Sequence, residues 1–88
     1  PCGVGNPAPV LMTRGVRLAA PPRTVGQGGL KLRLHNESGD PIEALGWSLG
    51  ARIGEIDMNR PLDIAYRLER DEWQGTSRLQ ARLADFRT

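Results

Sequence analysis

Cysteine is nearly absent: Cys2 is the single one in 88 residues. One thiol closes no internal disulfide, which sets aside the staple-dependent class of small secreted domains and makes a reducing cytoplasm the expected location. One histidine, His35, leaves nothing with which to build a histidine-rich metal set, and it would be the only available base for a Cys2 nucleophile. Aromatics are limited to Trp47, Tyr66, Trp73 and Phe86, so aliphatic side chains must make most of the core. No apolar run approaches the roughly 18 residues that a membrane span requires, and the start lacks the basic-then-apolar layout of a secretory signal. No membrane partner is expected. The first residue is Pro1 rather than Met, as expected of a piece of a longer polypeptide.

What is present is a basic, leucine-rich chain with room for one small domain, which would bury roughly 60% of its unfolded surface. Its charge is segregated. Residues 1–35 carry Arg14, Arg17, Arg23, Lys31 and Arg33 with no acid, whereas the remainder holds every Asp and Glu. Eleven of the twelve basic residues are arginine, whose planar fork matches phosphate oxygens and stacks on flat rings. A polyanion is therefore a reasonable partner.

Period-two alternation runs through most of the chain. "LKLRLH" places Leu30, Leu32 and Leu34 on one face and Lys31, Arg33 and His35 on the other. "LDIAYRLER" directs Leu62, Ile64, Tyr66 and Leu68 inward, and "RLQARLADF" does the same with Leu79, Ala81 and Leu83 while Arg78, Gln80 and Arg82 face out. "PVLMTRGVRLA" alternates with a change of phase at Gly15, the mark of a bulge that bends a strand. "IEALGWSLG" reads as a further strand, with Trp47 sharing the parity of Leu45 and Leu49 and expected to pack in the core. Tyr66 and Phe86 are expected there too. "PPRTVGQGG", "NESGDP" and "EWQGTS" carry turn chemistry, and "GARIGEIDMNR" fits at most a short helix.

The resulting order is three strands, a short helical or irregular link, then two strands. This is an all-β chain whose order matches a five-stranded OB-fold, a partly open Greek-key barrel, with an SH3-like barrel as its main competitor. In an OB-fold the ligand lies across strands 2 and 3 between the first and last hairpin loops, here "PPRTVGQGG" and "EWQGTS". Lys31, Arg33 and His35 would lie between those loops, with Arg14 and Arg17 supplying further charge and Arg78, Gln80 and Arg82 forming a second outward row. Trp73, beside the hairpin glycine Gly75, is the candidate for base stacking. For each of these the competing reading is a solvated surface residue, and for Trp73 a cap on the barrel end. The acidic trio Glu69, Asp71 and Glu72 is most simply read as salt-bridged to Arg70 or Arg78.

"PCGVGNPAPV", "LKLRL", "IEALGWSLG" and "DIAYRLERDEWQGTSRLQARLADFR" together resemble the C-terminal OB-fold domain of the RecJ family, single-strand-specific 5′-to-3′ DNA exonucleases. The Pro1–Pro9 opening and the set Glu72, Trp73, Gly75, Leu79, Gln80 and Arg82 are its most specific parts. The resemblance implies a single-stranded DNA-binding domain that grips the strand for a DHH-type phosphoesterase core upstream in the same polypeptide, acting in DNA repair and recombination. It implies manganese or magnesium for that core and none for this chain, which contains no Asp-His-His run. Accordingly no catalytic or metal-binding residue is assigned here. A structural or protein-docking barrel without DNA contact is the alternative. "PCGVGNPAP" is then a Gly/Pro connector over residues 1–9, with the barrel over residues 10–88. It lacks the preceding strand, following helix and Lys-Ser or Lys-Thr of a phosphate-binding loop.

Overall fold

The computed structural model describes residues 8–88, and within them all side chains except those of Asp71, Trp73 and Arg78. Most of the connector, with Cys2, Asn6 and Pro7, lies outside the described residues. The elements are β1 (Leu11–Val16), β2 (Arg23–Val25), β3 (Gly29–Leu34), β4 (Ile42–Gly46), a 3-10 helix (Gly50–Glu55), β5 (Leu62–Trp73) and β6 (Thr76–Arg87). Five of the six strands are the expected ones. The addition is β2, which occupies part of the stretch expected to be a loop and pairs with β3 through Arg23 and Lys31.

One sheet in the order β1-β5-β6-β4-β3-β2 contains every strand. Its β4–β6 pair is parallel, and it curls on itself because the first strand bends. Gly15 takes φ +70°, and the register between β1 and β5 slips between Thr13 and Val16. Past that bulge the chain crosses to β3, where Leu18 bridges Leu34. The Ala19 N–H donates to the Arg33 carbonyl, and the His35 N–H donates to the Arg17 carbonyl, each at 2.7 Å. A single bent segment thus touches both β5 and β3 and curls the sheet into a barrel, with β2 left as its edge strand. Pro21 and Pro22 follow, and having no N–H they interrupt the ladder before β2 resumes it.

The core comprises Leu18, Leu30, Leu32, Leu34, Ala44, Leu62, Ile64, Ala81, Leu83 and Phe86. Each fully buried leucine contributes about 1.5–3 kcal/mol by leaving water. Phe86 joins this set despite its opposite parity to Leu83 because Ala84 is an extra residue: Tyr66 pairs with Leu83 but Ala65 with Asp85. That bulge switches the inward face. The 3-10 helix closes one barrel end, with Leu49, Ile53, Ile56 and Met58 packed on the core. Two glycines and a length of six residues favour its tight turns over a longer α-helix.

Two expected inward residues are corrected. Leu68 and Leu79 are 38% and 51% exposed, because β5 and β6 run on past the barrel as a two-stranded ribbon with no opposing wall. The β1 pairing stops at Tyr66 and the β4 pairing at Ala81. The ribbon ends in a two-residue turn in which Gln74 and Gly75 take φ of 50° and 78°, the type I′ geometry that suits strand twist. Trp47 is also corrected, since β4 ends at Gly46 and the indole is 54% exposed.

Ion pairs fasten the ends of the strands. Arg52 donates to both Glu55 oxygens at 3.0 Å, to Asp85 at 2.7 Å and to the Phe86 carbonyl at 3.0 Å, with its guanidinium 4.1 Å above the Phe86 ring centre. It thereby ties the helix to β6. The Asp63 carboxylate accepts from the Gly15 N–H and from Arg87, each at 3.0 Å, and so holds the β1 bulge. These contacts favour the ionised acids. Asp63 is held below its ordinary value first by the Gly15 N–H and then by Arg87. Asp85 is lowered by Arg52 and the Phe86 N–H, and Glu55 by Arg52.

Because all three bind protons more weakly when folded, their stabilisation is complete above the unfolded values of 3.8 and 4.5. It is lost as pH falls through the lower folded values. The melting temperature is therefore expected to be nearly level from about pH 8 to pH 5 and to decline below about pH 4. Asp63→Asn should soften that decline. Circular dichroism melts across this range decide it, and an equally steep acid decline in the variant would remove Asp63 from the account.

Candidate nucleic-acid interface

The outer surface of β3 is set by the same alternation that buries its leucines. With Leu30 and Leu32 fully buried, Lys31, Arg33 and His35 project outward. Register extends this row across the sheet: Arg23 pairs with Lys31, Lys31 with Leu45, Leu45 with Arg82, and Arg82 with Arg67. The two outward rows expected from the sequence, one on β3 and one on β6, therefore meet at Leu45. They form a belt that curves with the barrel.

Carboxylates interrupt the belt at two points. Lys31 Nζ lies 3.5 Å from Glu43 and Arg82 Nη2 lies 3.1 Å from Glu69. The expected pairing of Glu69 with Arg70 does not form, because successive strand residues point to opposite faces. Its diagonal neighbour across the hairpin is Arg82. Arg23, Arg33 and His35 have no acidic partner among the described residues. Arg23, Lys31 and Arg33, with Ala20, Pro21 and Glu43, line a depression of about 280 Å³ on this face. Three of its lining residues are cationic, and Ala20 and Pro21 are apolar.

The remaining candidates are distributed around this face. Arg17 lies beyond it, opposite His35, and donates to the Asn59 carbonyl at 3.2 Å, so it braces the link before β5. Arg14 stands at the β1 bulge, where its charge acts on Asp63, away from β3 and β4. Gln80 is half-buried on β6 opposite Glu69. The side chains of Trp73 and Arg78 lie outside the described residues. Arg67 is partly engaged, its Nε donating to the Ala8 carbonyl at 3.0 Å.

Sequence reasoning misses Arg23 and Trp47. Arg23 sits in what reads as a loop, although "RTV" following two prolines is a short β-prone run. Trp47 shares the parity of Leu45, but Leu45 itself lies on the outer, half-buried side opposite Lys31. No local signal places the indole outside; its position beside Gly26 and Gly29 is a tertiary contact.

No three His, Cys, Asp or Glu side chains come together as a metal-ligand set among the described residues. No helix among them is long and apolar enough to cross a membrane.

A family profile described as the RecJ OB domain matches residues 1–85. Among solved structures, this fold is similar to RecJ from Thermus thermophilus, crystallised in complex with Mg²⁺. The TM-score is 0.62 and the identity 24%, over 96% of this chain and 12% of that one. That likeness establishes a shared fold, and this chain spans 12% of that relative's length. No curated protein matches the sequence.

Proposed function

From the premise that the chain belongs to the RecJ OB domain family, we propose that it binds single-stranded DNA for a RecJ-like 5′-to-3′ exonuclease. In this proposal the strand is held on the β3–β4 face and delivered to a DHH-type catalytic core elsewhere in the same polypeptide. Repair and recombination in the cytoplasm belong to the same reading. Manganese or magnesium would serve that core, and this chain's part is grip and orientation.

The observation that carries the reading is the register-linked belt Arg23–Lys31–Leu45–Arg82 beside the depression lined by Arg33. Cations spaced along a strand neutralise successive phosphates and release their counterions, a sequence-independent attraction that weakens with salt. The paired acids Glu43 and Glu69 temper it. Binding by this chain is accordingly expected to be weak and strongly salt-dependent.

Fluorescence anisotropy with a labelled oligonucleotide at low and moderate salt tests this. Joint substitution Lys31→Ala and Arg33→Ala should weaken binding and reduce the slope of log affinity against log salt by about 1.4, two phosphate contacts at roughly 0.7 each. Absence of salt-sensitive binding at high protein concentration would refute the proposal. A docking barrel would then be the better account. It has its own support in Leu11, Leu68 and Leu79, which are exposed along one face of the β5–β6 ribbon and its β1 neighbour.

A further inference from the structure

We infer that Trp47 is a stacking platform for a base of the bound single strand, an inference that rests on the DNA-binding reading above. An indole left 54% exposed forfeits much of the hydrophobic gain that a tryptophan offers, so its position needs an account. It is the only aromatic among the exposed large hydrophobics of the described residues.

Trp47 lies beside glycines of the β2–β3 turn, where a side chain at Gly29 would crowd Val25 first and the ring next, and one at Gly26 would make ordinary contact with the ring. A methyl group at Gly29 would fall 3.2 Å from Trp47 Cε3 and 2.8 Å from the Val25 carbonyl, and one at Gly26 would fall 3.7 Å from Trp47 Cζ3. The six-membered edge of the indole therefore rests across a turn with no side chains at those two positions. That turn is anchored from behind, where the Gly50 N–H donates to the Gly28 carbonyl at 2.9 Å. A ring held in this way has little freedom left to lose when a second flat group stacks on it.

Its neighbours supply the rest of the contact. Trp47 follows Gly46, which pairs with Leu30, and so stands opposite Gly29 on the outer face. Lys31 and Arg33 follow Gly29 on that face in steps of about 7 Å. A base on the indole with its phosphates running toward Lys31 and Arg33 combines stacking with charge. That combination is the means by which a single strand is bound without reading its sequence.

The test compares two labelled strands of equal length, oligo-dT and an oligomer of abasic sites, binding to this chain by anisotropy. The wild type should prefer oligo-dT by roughly 5- to 150-fold, the worth of one stacked base. Trp47→Ala should lose most of that preference while retaining salt-dependent binding to the abasic strand. Trp47→Phe, which keeps a ring at this position, should retain part of it. In a Trp73→Phe background, the emission of Trp47 should be quenched by oligo-dT and not by the abasic strand, a readout independent of whether Trp47→Ala folds. Equal wild-type affinity for both strands, or no quenching, overturns the role of Trp47 and leaves DNA binding intact. Binding to neither strand overturns both.

Discussion

Leu32→Ala is expected to lower the unfolding free energy by about 2–5 kcal/mol. Leu32 is fully buried in the middle of β3 and faces Ala44 across the ladder. With a residue as small as alanine opposite, Leu32 itself fills that layer of the core. Truncation removes its transfer energy and leaves a cavity that the barrel cannot collapse into. A domain whose whole stability is of order 5–15 kcal/mol would lose a large share of it. Urea unfolding should show a lower midpoint with an unchanged slope. The control is Leu79→Ala on the exposed ribbon, expected to change stability by no more than about 0.5 kcal/mol. Equal losses in the two variants would contradict the placement of the core.

Gly50→Ala is expected to cost about 3 kcal/mol, the upper part of the range for overpacking. The added carbon would lie 2.8 Å from the carbonyl oxygens of Gly28 and Gly29 and 2.9 Å from the Gly28 carbonyl carbon. All three are backbone atoms, so no side chain can rotate away. Relief requires the 3-10 helix to withdraw from the Gly26–Gly29 turn, which breaks the Gly50 to Gly28 hydrogen bond. Gly54→Ala, in the same helix with nothing within 4 Å of the added carbon, should be neutral or stabilising by up to about 1 kcal/mol. Thermal and urea unfolding of the pair measure the difference directly. Because the disturbed turn also lies beside Trp47, Gly50→Ala should weaken binding to oligo-dT more than binding to an abasic strand.

Much of the fold was legible in the sequence. Leu30, Leu32 and Leu34 are buried as their spacing demands, Gly15 bends the first strand, and a short helix occupies the link before β5. Each is a local property: side-chain parity follows from strand geometry, and Gly15 has a positive φ where other residues are strained. Parity failed where it met something non-local. Leu68 and Leu79 alternate as faithfully as Leu32 does, yet they stand on a ribbon that outruns the barrel. Phe86 changes face through the Ala84 bulge, which no composition signal marks.

The candidate site divides in the same way. That Lys31, Arg33 and His35 project from one strand face could be read directly. That Arg82 of a distant strand joins Lys31 through Leu45 depends on the parallel pairing of β4 with β6. Pairing of Lys31 with Glu43 and of Arg82 with Glu69 depends on the registers between β3 and β4 and between β5 and β6.

By itself the sequence determined the all-β class, the order of five of the six strands and the link, the inward leucines of the barrel and the segregated arginine-rich charge. All of these follow from the intrinsic alternation and turn chemistry of a chain meeting water. Only the tertiary structure decided which cations share a surface, where the ribbon leaves the barrel, and that Trp47 lies outside, beside a glycine turn. Those depend on register, bulges and closure, through which residues far apart in sequence become neighbours.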